Sequence, residues 1–426
     1  MASSSARKGR ASSPGRSSRG RQAPRAERLR ILFLASQFPF PADSGGAIKT
    51  LSILDYLRRK HDVRLVCFRR DELSAGQAAW AREFGEVLSV QLDRGRSPWN
   101  LVRSYVSRVP LSIERNRSSQ MMKLTTDSIR GWSPQVVFVD SWLMAQYLPA
   151  DYAGLKLLHE HNAEFELWER QADLESGPRK PVAAREAKRV RDYEASALKR
   201  FDVVFVVSDD DRKSLRDLGA DLNRLRILPN IPDRGLLDLA SPSFDTTEPV
   251  VLYLGTLSWQ PNVEGVERFV SSVYPAVHKR VPESRLIVAG RGAPKSLAEK
   301  VAKTAGAEFL GEIEDIESLY QNARVFVDAT RSGGGTRLKV LNALARGVPV
   351  VASEHAAQGL DIVAGEHLIV ARNDHAMADA VVDLLQNPAR WKILSENGRA
   401  LIRGRYVAEV AYRVLDEVLA RAHPAT

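Results

Sequence analysis

The stretch RSGGGTRLKVLNALARGVPVVAS, residues 331–353, decides how the rest of the chain is read. Three glycines, Gly333, Gly334 and Gly335, run into a segment whose Leu338, Leu341, Leu344 and Ala345 recur at helical spacing. Glycine lets backbone N–H groups approach a ligand closely, and a helix N-terminus carries about half a positive charge, so a glycine-rich loop opening a helix favours an anion. Arg337 and Lys339 add full charges at the same junction. Gly347 is a stop signal for this helix, and Val348, Pro349, Val350 and Val351 read as the buried strand that follows. The plainer alternative, a strand–loop–helix–strand unit whose glycines serve only the turn, is weakened by the two cations.

Outward from this unit, short apolar runs alternate with helical segments in both directions. Strands are expected near 250–255, 285–290, 308–311, 325–330 and 367–371 around it, and near 30–36, 63–68, 86–92, 136–141, 155–161 and 203–208 in the first half. Such alternation predicts an α/β chain of two doubly wound, Rossmann-like domains with parallel sheets facing across a cleft. The ligand crevice of such a sheet lies at the carboxyl ends of its strands, where Ser36, Asp140, His161 and Ser208 fall. After the first strand, FPFPADSGGAIKT forms a Pro/Gly loop with Gly45 and Gly46 ahead of an amphipathic helix, a second candidate phosphate loop. The expected boundaries are a basic tail at 1–28, a first domain at 29–230, a linker at 231–249 and a second domain at 250–405. The last segment, 406–426, is expected to be a helix returning to the first domain.

Composition bounds the rest. A chain of 426 residues is long for one core, and its 44% hydrophobic and 27% charged content describes a globular protein. No run of about 18 apolar residues is present, which excludes a spanning helix of that kind. The one cysteine, Cys67, cannot form an intramolecular disulfide and belongs to no metal-binding cluster, so a reducing cytoplasm is expected. A net charge of +10 implies attraction to phosphate, whether on nucleotide, lipid or nucleic acid.

The ordered set of motifs resembles the GT-B-fold glycosyltransferases of family 4, the group 1 type. In the first half the resemblance rests on PFPADSGGAIKT, His161-Asn162-x-Glu164, VVFVVSDDD and LPNIPD. In the second it rests on LYLGTLSWQPN, LIVAGRGAP, FLGEIEDIESLY, SGGGTRLKVLNALARGVPVVAS and EHAAQGL. It covers residues from about 29 to 420. It implies a nucleotide-diphosphate-sugar donor on the second domain, a glycan or lipid-linked acceptor on the first, and retention of anomeric configuration. Surface polysaccharide assembly is the implied setting.

The site residues follow from the same likeness. Arg337, Lys339 and the backbone of Gly333, Gly334, Gly335 and Thr336 would cradle the diphosphate, with Gly45 and Gly46 opposite. His161 resembles the family histidine at the sugar pocket, although a loop-capping role is an alternative and neighbouring His159 could line the pocket instead. Glu164 either contacts the acceptor or only opens a helix. Many family members have glutamates where this chain has Gly334 and Asn342, and an Arg/Lys pair where it has Thr256 and Asn262. Asn342 keeps hydrogen-bonding capacity toward ribose hydroxyls but loses the charge. Arg291 is expected to flank the donor, and Trp259 to stack on a ring of it; Trp142 and Trp168 read as packing residues. No cofactor is expected, and no metal: Asp209, Asp210 and Asp211 read as a helix cap.

Two basic segments stand apart. The Ser/Arg-rich tail reads as disordered. Residues 97–119 carry Arg103, Arg108, Arg115 and Arg117 among Trp99, Leu101, Val102, Tyr105 and Val106, a pattern for peripheral contact with an anionic membrane at its inner face, or for a solvated basic face. No specific nucleic-acid partner is expected. The rival readings are a nucleotide-sugar epimerase of the same fold and a catalytically silent binding protein.

Overall fold

The computed structural model describes residues 28–92, 98–332 and 337–422. Two parallel sheets form the frame. The first contains β1 (Arg30–Ala35), β2 (Asp62–Arg69), β3 (Val87–Gln91), β4 (Val136–Asp140), β5 (Leu155–His159), β6 (Val203–Val206) and β7 (Leu225–Ile227), in the order β3-β2-β1-β4-β5-β6-β7. The second contains β8 (Val250–Leu254), β9 (Arg285–Ala289), β10 (Ala307–Gly311), β11 (Val325–Asp328), β12 (Val350–Ser353) and β13 (Ile369–Ala371), in the order β10-β9-β8-β11-β12-β13. This is a doubly wound α/β architecture in both halves.

The strand sequences explain the layering. In β1, Leu32 and Leu34 join a core on one face of the sheet, while Ile31, Phe33 and Ala35 join a second core on the other. In β8, Val251 and Tyr253 divide from Val250 and Leu252 in the same way. Because successive side chains of a strand point to opposite faces, a strand buried on both faces must be apolar throughout.

Three expectations need correction. Gly45 and Gly46 are not in the loop but open the helix Gly45–Arg58, because Ser44 takes the capping position and accepts a hydrogen bond from Ala47 N. The strand expected over 155–161 stops at His159, and Glu160 N donates to Phe205 O as the chain turns toward the helix Glu164–Leu174. The single helix expected from 406 is divided into Ala408–Ala411 and Arg413–Leu419 after the long helix Pro388–Arg405. Tyr406 is held in the second half, where its hydroxyl accepts from Asp361 N, whereas Tyr412, Leu415 and Leu419 are buried with Ile31 and Phe33 in the first. The chain bends between these two anchors.

Lys49, buried in the helix after β1, ties the two crossings together. Its Nζ donates to the carbonyls of Leu228 and Pro229, where the chain leaves the first sheet, and reaches the Tyr412 hydroxyl at 3.4 Å, where it returns. Burial holds this lysine's pKa well below its ordinary value.

Candidate active site

Each sheet reverses its winding between its first strand and the strand that follows across the switch, β1/β4 and β8/β11. Ligands of doubly wound sheets bind beside such reversals. Here the two crevices face each other, and a cavity of about 760 Å³ opens between them. A buried aspartate ends the strand on each side: Asp140 in β4 and Asp328 in β11.

On the second side, Arg337 adopts a left-handed conformation (φ 53°) as the cap of the helix Leu338–Arg346, and Gly347 closes that helix in the same conformation (φ 79°). Only residues that tolerate positive φ suit these two positions, which is why glycine serves at the C-terminal one. Lys339 Nζ donates to Asn262 Oδ1 at 2.7 Å and Thr330 Oγ1 at 3.2 Å, and pairs with Asp328 Oδ2 at 3.2 Å. Burial lowers its pKa, and Asp328 opposes that shift. The Arg337 guanidinium instead contacts Gln358 O and lies 3.5 Å from His355 Nε2. Burial lowers its pKa also, against the attraction of Asp328 and Asp211. Thus the charge of Lys339 is largely answered within the protein, and that of Arg337 much less so.

Asn342 does not leave its part of the cavity without a carboxylate. Its Nδ2 donates to Asp233 Oδ2 at 2.7 Å, and its Oδ1 accepts from Asp233 N at 2.9 Å. Both residues line the cavity, and Asp233 Oδ1 has no hydrogen-bond partner. Asp233 lies in the segment expected only to link the domains.

On the first side, Asp140 gathers three donors. Thr50 Oγ1 donates to its Oδ2, while His159 Nδ1 and His161 Nε2 approach its Oδ1 at 2.7 and 3.0 Å. Burial alone would raise the pKa of this carboxyl, but the two imidazoles outweigh it and hold the group below the usual range. Burial, then the neighbouring His161, lowers His159 to about 3, so it is neutral near pH 7. Among the described residues this trio is the one group of metal-ligating types close enough for a single ion, with donor atoms within 4.8 Å. Its geometry is that of two imidazoles hydrogen-bonded to one carboxylate oxygen, and the positive charge of Lys49 acts on it.

The cavity therefore brings together Gly45, Gly46, His161, Thr256, Trp259, Asn262, Arg291, Arg337, Lys339 and Asn342. Trp259 is 47% exposed at its edge. Arg291 crosses the cleft to Asp43, donating to its carbonyl and pairing with its carboxylate at 3.4 Å. Glu164 lines neither this cavity nor the neighbouring one of about 320 Å³ that also reaches Arg337. Its backbone N–H donates to Glu194, and its carboxyl, on a half-buried residue beside Asn162 and His161, is pushed up to about 7, first by burial. Ser208 caps the helix Asp209–Asp217, and Asp211 accepts from Ala163 N. Trp142 is buried in the first core, and Trp168 packs against it. Gly333, Gly334, Gly335 and Thr336 lie outside the described residues, as do residues 1–27 of the basic tail.

Sequence comparison agrees with this architecture. Residues 44–231 match the family model Glycosyl transferase 4-like domain, and residues 248–387 match Glycosyl transferases group 1. Together these take in most of the chain, which belongs to the group 1 glycosyl transferases and is a glycosyltransferase of the GT-B type. Among relatives, an uncharacterized 44.6 kDa protein in the cps region of Klebsiella pneumoniae is 23% identical over 400 residues, covering 88% of this chain and 96% of its own. The phosphatidyl-myo-inositol mannosyltransferase of Mycobacterium leprae is 30% identical over 145 residues, 33% of this chain and 36% of that one. Sucrose-phosphate synthase from Thermosynechococcus elongatus superposes with a TM-score of 0.66 at 18% identity, over 92% of this chain and 98% of that chain. Anabaena HepE in complex with UDP and glucose does so with 0.64 at 13%, over 92% and 100%. At these identities the structural likenesses carry the fold alone.

Proposed function

We propose that this protein is a retaining, metal-independent hexosyltransferase that moves a sugar from a nucleotide-diphosphate donor to a glycan or lipid-linked acceptor in surface polysaccharide assembly. The observation that carries this reading is the placement of Arg337 and Lys339, at the start of one helix, across a single cavity from Gly45 and Gly46 at the start of another. Two helix N-termini and a guanidinium suit a departing diphosphate, whose negative charge grows as the glycosidic bond breaks. Lys339 contributes less as a free charge than as the group that keeps Asp328 from repelling that anion.

Asp233, held by Asn342, supplies an acceptor oxygen for a ribose hydroxyl, the task a glutamate would otherwise perform at position 342. His161 lies against the Gly46 turn on the acceptor side. In the proposed step the bond from the anomeric carbon to the diphosphate oxygen breaks, and the acceptor oxygen bonds to the same face. The acceptor's proton passes to the departing oxygen, so no protein nucleophile is needed. Positioning and charge stabilisation then supply the rate. A setting at the inner face of the membrane, with peripheral contact to anionic lipid, goes with a lipid-linked acceptor. Among the relatives the cps-region protein goes with polysaccharide assembly, and HepE, similar in fold, has a complex that contains UDP, which puts UDP first among the nucleotides to try.

The test is thermal denaturation with UDP, GDP and ADP in turn, for the wild type and for Arg337→Ala. A nucleotide at about 100 times its dissociation constant stabilises the native state by about 2.7 kcal/mol. One nucleotide is expected to do so in the wild type and much less in the variant; no stabilisation by any of them would sink the reading. Incubation with that donor and an acceptor series, followed by NMR of the anomeric proton, then decides between retention and inversion.

A further inference from the structure

The helix Pro98–Ser107 is turned inside out. Leu101, Val102, Tyr105 and Val106 recur at helical spacing as one apolar stripe, and this stripe is 51% to 78% exposed. Ser104, between them, is buried and donates to Val109 O at 2.7 Å. A solvated basic face would show the reverse order, with apolar side chains inward.

A second element extends the same surface. The Tyr105 ring lies 4.9 Å from the Arg185 guanidinium and 5.7 Å from that of Arg189, both on the helix Arg179–Leu198. Val182 precedes Arg185 and Arg189 by one and two turns on that helical face and is 69% exposed. Leu174, which ends the neighbouring helix Glu164–Leu174 at the same corner, is 81% exposed. Over 98–117 and 173–191 the acidic residues are Glu114, buried beside Arg103 and Arg117, Glu186, half-buried against Leu111 N, and, flanking Leu174, the exposed Asp173 and the half-buried Glu175. Arg108, Arg179, Lys180 and Arg185 are exposed. Apolar side chains among cations that outnumber the one exposed acid, Asp173, match the headgroup boundary of an anionic bilayer, where the apolar groups enter and the cations meet phosphate.

We propose that the 98–107 helix and the 174–182 corner form one surface that docks on an anionic bilayer. The inference rests on the reading of a lipid-linked acceptor and extends it to residues far from the 97–119 segment. Its test is cosedimentation of the full chain with phosphatidylglycerol-containing vesicles and with phosphatidylcholine vesicles, for the wild type, Leu101→Glu/Val106→Glu and Leu174→Glu/Val182→Glu. The wild type is expected to bind the anionic vesicles in a salt-sensitive way, and each double variant to lose at least tenfold in partitioning. Each should keep the wild type's melting temperature and nucleotide stabilisation. A wild type that ignores anionic vesicles overturns bilayer docking while leaving donor binding intact. Full binding by the Leu174/Val182 variant overturns the composite surface while bilayer contact stands. A wild-type dimer that the variants dissociate shows the face to be a protein interface and overturns the proposal as well.

Discussion

Asp140 and Asp328 occupy matching places in the two sheets, each buried at the end of the strand across the winding reversal, yet they are answered in different chemistry. Asp328 pairs with the cation Lys339 through Oδ2, and its Oδ1 accepts from the hydroxyl and backbone N–H of Thr330, two positions along the same chain segment. Asp140 meets a hydroxyl and two imidazoles, one of them held neutral. A carboxylate answered by a single cation leaves a neutral pair that polarises little beyond itself. One answered by hydrogen-bond donors keeps its negative charge. On the proposed function, the same fold position serves an anion on one wall of the cleft and hydroxyl groups on the other.

The largest expected effect tests the pairing on the second side. Lys339→Ala leaves Asp328 buried without its cation and should cost about 3–5 kcal/mol in denaturant unfolding. Adding Asp328→Leu to Lys339→Met should recover part of the loss, since a buried ion pair often exchanges with apolar groups at little net cost, while Thr330's hydroxyl and N–H lose their acceptor. Asp140→Leu should find no comparable rescue in a second change at His161, because donors from Thr50 and His159 are still stranded. Rescue at both places would erase the contrast.

Arg337 comes next. With no carboxylate paired to it, Arg337→Ala should weaken nucleotide binding by about tenfold to a hundredfold, the range for a hydrogen bond to a charged group, while unfolding free energy changes by less than about 1 kcal/mol. Isothermal titration of wild type and variant, with denaturation in parallel, separates the two quantities. A large stability loss would mean that Arg337 resembles Lys339 after all.

The smallest effect concerns pH. Glu164 ionises near pH 4.5 when free but is pushed up to about 7 in the fold, first by burial, with His161 and Asn162 opposing. The folded state therefore holds this proton more tightly than the unfolded chain. Its stabilising contribution is complete below about pH 4.5 and is lost as pH rises through 7. Half-burial limits the change to on the order of 1–2 kcal/mol. Melting curves from pH 5 to 9 should decline more steeply for the wild type than for Glu164→Gln; equal slopes would remove Glu164 from the account.

The fold was legible because both sheets are buried on two faces, which makes each strand a continuous apolar run, and because residues such as Gly347 mark the end of a helix where only positive φ serves. The cleft was legible as far as its cations and glycines. Of its carboxylates only Asp140 was, as the end of a strand at the crevice. Asp233 and Asn342 are 109 positions apart, and nothing local in a linker segment announces such a partner. Asp328 ends an apolar run with no sign that Lys339 belongs to it, and Glu164 lay in a promising motif but lines neither cavity described above, its carboxyl held beside Asn162 and His161. Helical periodicity at 98–107 was visible, whereas which face looks outward depends on Ser104 finding a carbonyl inside.

The Lys49 ammonium acts as a door pin. Both passages of the chain between the halves are fastened to it, one at Leu228 and Pro229 and one at Tyr412. All of these partners lie in the first half, so the exit and the return of the chain are fastened to one body. The Arg291–Asp43 contact joins the two halves a few residues along the chain from Lys49, so any parting of the walls at the cavity that both residues line must break it.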